Sequence, residues 1–268
     1  MKLLESRLAV ATPLIPALYF VIMLAPPFIF FLLAAAAILR AQYEFYKIYY
    51  HETVPAGTVC FGLLCGFLLL FLFYFIVSVH RIEFWVIFIV LAILLFHLFH
   101  FRTIEFALLD TAIQVLGVFY VTGLLGHLIL IRHFPDGASF ILFLLIVVWG
   151  NDAGAYYVGR KIGGKKLYPA ISPNKTVSGA IGGFVIGTLL GCAAQFSFLQ
   201  MIPLRDVIFI SILLVAAGQL GDLAESMFKR SGGVKDSSSL IPAHGGLLDK
   251  LDGVAFSAPV LYYCILWF

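Results

Sequence analysis

Charge is the scarcest commodity in this 268-residue chain: Asp, Glu, Lys and Arg together make up 12% of it, against 62% apolar residues. A soluble domain of this length could bury a core, but it would need far more charge to cover its surface, so a water-exposed globule is excluded and lipid must do the covering. No polar stretch exceeds about 25 residues, which leaves no room for a soluble catalytic domain. Cysteine is also sparse. Cys60, Cys65, Cys192 and Cys264 sit inside apolar runs without CxxC spacing or neighbouring histidines, which argues against a disulfide framework or a thiolate metal cluster and for packing. No basic tract points to nucleic acid.

What remains is hydrocarbon in helical lengths. A bilayer core of roughly 30 Å needs about 20 apolar residues per helix, and nine candidate spans follow: 8–25, 27–39, 56–79, 84–101, 107–131, 139–158, 177–199, 207–228 and 251–268. The apolar start holds Pro13 and Pro16 and runs into further apolar sequence, which favours a first span over a signal peptide. Pro26-Pro27 marks either a hairpin between the first two spans or a kink. With nine spans, all 17 basic residues except Arg81, Arg132 and Arg205 fall on one side. The positive-inside rule then puts the N-terminus and loops 159–176 and 229–250 in the cytoplasm. The expected fold is all-α: a polytopic membrane protein of about nine helices in one integrated domain. Residues 1–150 serve as scaffold, 151–268 carry the chemistry, and a polar cavity opens on the cytoplasmic side.

Three polar clusters interrupt the hydrocarbon. In "WGNDAGAYYVGRK", Asp152 follows the apolar run 140–149. An aspartate facing lipid at the bilayer centre costs about 2.5–3.5 kcal/mol, so it should face a polar interior instead. In "GQLGDLAESMFKR", Asp222, Glu225, Ser226 and Lys229 recur at i, i+3, i+4 and i+7, one stripe of a helix, with Gly218 and Gly221 allowing a close neighbour. In "HGGLLDKLDG", Asp249 and Asp252 share a face if the last helix begins near Gly246. Carboxylates converging from separate helices are hard oxygen ligands that suit Mg²⁺, with room for a second cation. Lys165, Lys166 and Lys175 in one loop, and Lys229, Arg230 and Lys235 in the other, lie beside these acids. Metal plus cations is what a nucleotide polyphosphate requires.

Other features have plainer readings. Arg160, Lys161 and Lys166 read as orientation signals. "GRKIGGKK" matches a phosphate-binding loop except for its last place, but follows a membrane span rather than a strand, and is read as chance. His244 is a turn hydrogen bonder or a substrate contact. Gly183, Gly187 and Gly191 form a close-packing ridge whose partner, the same chain or a second copy, the sequence leaves open.

The run "SMFKRSGGVKDSSSLIPAHGGLLDKLD", residues 226–252, resembles the signature of CDP-diacylglycerol synthases, the phosphatidate cytidylyltransferases, at every fixed position except 250, where Lys stands for the usual Arg. "NDAGAYYVGRKIGGKKL" and "ISPNKTVSGAIGG" extend the likeness back to residue 151. The resemblance implies a Mg²⁺-dependent reaction of CTP with phosphatidic acid to give CDP-diacylglycerol and pyrophosphate, by a homodimeric inner-membrane enzyme of phospholipid synthesis. On that footing Asp222 and Asp249 would hold the metal, assisted by Asp152 and Asp252, and Lys229, Arg230 and Lys235 would bind phosphates. Ser172, Lys175, Ser226, Asp236, His244 and Lys250 would contact substrate. The competing readings are a CTP-dependent polyprenol or lipid kinase, which shares the charge logic, and an ion-coupled transporter, whose two repeated halves the sequence does not display.

Overall fold

The computed structural model describes residues 16–51, 53, 55–75, 82–240 and 245–267. Among these are nine helical rods: α1 (16–23), α2 (Pro27–Tyr50), α3 (Ala56–Phe75), α4 (Ile82–Phe99), α5 (Ile104–Arg132), α6 (Gly137–Ile162), α7 (Val177–Ser197), α8 (Leu204–Ser231) and α9 (Leu248–Trp267). Six of them, α2, α3 and α5 to α8, are long and apolar enough to cross a membrane. The chain is a multi-pass membrane protein, and its outside is correspondingly apolar: Phe84, Ile87, Leu91, Leu95 and Leu98 all stand exposed along α4.

The helices depart from the expected spans in instructive places. Pro26 is extended and Pro27 takes the first turn of α2, where its missing N–H costs nothing, so the Pro-Pro pair separates two helices instead of kinking one. Helix α2 then runs eleven residues beyond Leu39, the last residue of the expected span. Hydropathy loses it at Arg40, yet the polar residues that follow are buried because they satisfy one another. Gln42 donates to the Tyr46 hydroxyl and to Gly62 O and accepts from Thr122, while Tyr46 donates to Gln114 O. Helix α5 carries a π-helical turn, Gly117–Gly123, whose first glycine lies against the Tyr46 ring. The all-α expectation has one small exception, an antiparallel hairpin of β1 (Lys166–Tyr168) and β2 (Ser172–Thr176) between α6 and α7. Thr176 ends that hairpin and caps α7, accepting from Gly179 N at 3.1 Å.

The glycine ridge of α7 packs within the chain. A Cβ on Gly183 would stand 2.6 Å from the Asn151 carbonyl oxygen of α6; one on Gly187, 2.7 Å from Val215 of α8; and Gly191 abuts Ser211 of α8. Helices α6 and α7 thus approach backbone to backbone, and Gly159 and Gly179 meet where the hairpin begins. Gly183→Ala should therefore destabilise the protein by about 1–3 kcal/mol. Gly57→Ala, at an α3 position where the added methyl meets nothing, should be neutral or mildly stabilising. Thermal unfolding of both variants in one detergent checks the contrast.

Candidate active site

Where α8 crosses α9 the backbones nearly touch. A Cβ on Gly221 would lie 2.5 Å from the Asp252 carbonyl oxygen, and one on Gly253, 3.5 Å from the Gly218 Cα. Glycine at these places lets the next residues along each helix converge. Asp222 and Glu225, one turn apart on α8, and Asp252 on α9 each bring a carboxylate oxygen within 4.8 Å of the other two. Ser226, on the same stripe, donates to Asp222 at 3.5 Å.

Basic groups are interleaved with these acids. Lys175, delivered by β2, pairs with Asp222 at 2.5 Å, and Lys229 pairs with Glu225 at 2.5 Å and with Asp249 at 2.6 Å. Glu225 is fully buried, and its Oε1 has no hydrogen-bond partner among the described residues. Three hard oxygen donors at this spacing, one of them buried and unshared, fit a divalent cation such as Mg²⁺.

The structure groups the predicted acids differently from expectation. Asp249 stands outside the three-carboxylate group, and both its oxygens are engaged. Oδ1 accepts from Lys229, and Oδ2 accepts from Ser237 N, Ser237 Oγ and Gly246 N at 2.6–3.0 Å. The short 246–249 turn brings that carboxylate back onto its own loop, and Glu225, which shares the α8 stripe, stands in its expected place beside Asp222. Asp152, hydrogen-bonded by Asn151, faces the same space as Asp222 but lies outside the group. Arg230 reaches back to Ile171 O and across to Val234 O, joining the hairpin to the α8–α9 loop. Ser172 lies in β2, half-buried opposite Tyr168, and Lys235 and Asp236 are exposed on the loop. Lys250 is half-buried, and its carbonyl accepts from Trp149 at 3.5 Å. His244 lies outside the described residues.

Beside the acids is a cavity of about 600 Å³, within the range of small-molecule sites. Asp152, Gly159, Arg160, Lys166, Lys175 and Asp222 are on its wall. Arg160 and Lys166, read from sequence as orientation signals, thus line the cavity with the predicted site residues. So does the GRKIGGKK stretch: Gly163 and Gly164 adopt φ of 65° and 98°, open to the cavity, and the Gly163 carbonyl accepts from Ser178. Only glycine takes such backbone angles without strain.

Sequence reasoning missed Glu44. This α2 residue is fully buried and accepts from Ser237 and Leu248 N through Oε2, and from Ser238 and Arg40 through Oε1. It caps α9 and holds the α8–α9 loop from the N-terminal half, a role that no periodicity within residues 1–150 reveals.

A model of the Cytidylyltransferase family matches residues 5–268. The chain belongs to this family. Among curated members, the phosphatidate cytidylyltransferase of Bacillus subtilis (strain 168) is 41% identical over 154 residues, 57% of each chain. The enzyme of the same name from Staphylococcus saprophyticus is also 41% identical, over 157 residues, 59% of this chain and 60% of that one. That of Staphylococcus aureus (strain COL) is 38% identical over the same share. The aligned chain thus spans under two thirds of the length of each of these relatives.

Glu44→Ala leaves the Leu248 N–H and the Ser238 hydroxyl without an acceptor and should lower stability by about 2–3 kcal/mol. It should also speed protease cleavage between α8 and α9; denaturation and limited proteolysis of the detergent-solubilised variant measure both.

Proposed function

We propose that this family member transfers CMP from CTP to phosphatidic acid, releasing pyrophosphate and leaving CDP-diacylglycerol in the membrane. The observation that carries the reading is the adjacency of three convergent carboxylates and a nucleotide-sized cavity edged by Arg160, Lys166 and Lys175. The relatives' names and the 226–252 signature support it.

Asp222, Glu225 and Asp252 would hold Mg²⁺, which when bound supplies charge neutralisation for a triphosphate and fixes its orientation. Lys175, Lys166 and Arg160 would share the remaining phosphate charge from the cavity side, Lys229 and Arg230 from the last turn of α8, and Lys235 from the loop that follows it. Asp249 would act by holding Lys229 and the loop in place, with Ser172, Ser226, Asp236, His244 and Lys250 at the substrate margins. Chemically, an oxygen of the phosphatidate phosphomonoester attacks the CTP α-phosphorus as the bond to the β-phosphate oxygen breaks. That oxygen is already anionic near neutral pH, so the chain needs no general base. Its work is to bring two anions together and stabilise the departing pyrophosphate.

The asymmetry of basic residues supports a site on the cytoplasmic face of the cell membrane. The homodimer rests on the family resemblance.

Purified protein given CTP, phosphatidic acid and Mg²⁺ should place label from the CTP α-phosphate in a liponucleotide. Label arriving from the γ-phosphate instead would identify a kinase, and solute flux without CTP would identify a transporter. Asp252→Asn and Glu225→Gln should each lower the rate by about 100-fold.

A further inference from the structure

Tyr120 stands on the π-helical turn of α5 and reaches from the N-terminal half into the angle between α8 and α9. Its ring centre is 5.1 Å from that of Phe228 and 6.2 Å from that of Phe256, with Phe45 of α2 at 5.7 Å on another side. Phe228 follows Glu225 by three residues and Phe256 follows Asp252 by four, so the ring is wedged against the two helix faces that carry the carboxylates. The residue is 7% exposed, and its hydroxyl has no hydrogen-bond partner among the described residues.

A buried hydroxyl is nearly always paired. Tyr46 and Thr122 keep this rule, hydrogen-bonded within the α2–α3–α5 packing, while Tyr50 of α2, whose ring lies under Arg102, shares the orphaned state of Tyr120. Tyr120 breaks it beside a group of acids that includes another unshared buried atom, Glu225 Oε1. The wider π turn sets the side chain at an angle that a regular α-helix would not give, and such turns are frequent at functional sites.

We propose that Tyr120 is a positioning residue for the cation: its O–H donates to an oxygen of the cation's shell and so completes from α5 the site that Asp222, Glu225 and Asp252 form from α8 and α9. The proposal rests on the reading of those carboxylates as a cation site and adds a donor, contributed by the N-terminal half, to the three acids.

The test is Tyr120→Phe, which removes one oxygen and keeps the ring. Detergent-purified wild-type protein and variant are melted across a Mn²⁺ titration, and Mg²⁺ dependence of nucleotidyl transfer is measured alongside. For the variant, half-maximal stabilisation should need about tenfold more Mn²⁺, the loss expected when a second hydrogen-bonding layer around a metal is removed. The Mg²⁺ needed for half-maximal rate should rise in parallel, with the melting point without metal close to that of wild type. Phe45→Leu, which loosens the same aromatic cluster without touching the hydroxyl, should lower the melting point and leave the Mn²⁺ midpoint alone. An unchanged midpoint in Tyr120→Phe, or an equal shift in Phe45→Leu, overturns the role of Tyr120 while the carboxylate site stands. Absence of Mn²⁺ stabilisation in the wild type overturns the cation site and this inference with it.

Discussion

Carboxylates withdrawn from water repel one another and cost several kcal/mol each unless cations face them. Around the α8–α9 crossing the chain meets this constraint by alternation: Lys175 pairs with Asp222, and Lys229 sits between Glu225 and Asp249. Two of these pairs also join elements: Lys175–Asp222 ties the hairpin to α8, and Lys229–Asp249 ties α8 to α9. Negative charge is nevertheless left over, since Asp252 and one oxygen of Glu225 have no basic partner among the described residues. Surplus anion beside a nucleotide-sized, cation-edged cavity is the physical basis for proposing a divalent ion there.

The same constraint explains the glycines. Acids on two helices share an ion only if the backbones approach closely, which Gly218, Gly221 and Gly253 permit. The ridge on α7 plays the corresponding part on the other side of the cavity, pressing α6 and α7 together so that Gly159 and Gly179 meet under the hairpin that delivers Lys175. Behind both stands the N-terminal half, through Glu44. Its carboxylate receives the α9 N-terminus and two loop serines, so that the scaffold fixes the loop carrying Lys235 and Asp236.

The helices were largely legible because a bilayer imposes a length and a hydropathy on each span, and the α8 stripe was legible because helical periodicity is local. Choosing among partners was not. From sequence, Asp249 is assigned to the metal and Glu225 is left as a member of the α8 stripe; backbone turns at Gly246 and Ser237 engage Asp249 instead, and neither turn leaves a periodic signal. The polar half of α2 is hard to read because, beyond one neighbour a turn away each, Gln42 and Glu44 are satisfied by residues 20 to 204 positions away. GRKIGGKK misses the phosphate-loop pattern at Lys166 and has no strand before it, yet a helix end and a hairpin bring its open glycines to the cavity wall all the same.

Whether Asp222, Glu225 and Asp252 bind one divalent ion between α8 and α9, as proposed, can be measured. Electron paramagnetic resonance of Mn²⁺ titrated into the nanodisc-reconstituted protein reads it directly. One Mn²⁺ should bind per chain, with affinity reduced about tenfold or more in Asp252→Asn and in Glu225→Gln alike; binding that neither substitution weakens would rule the site out.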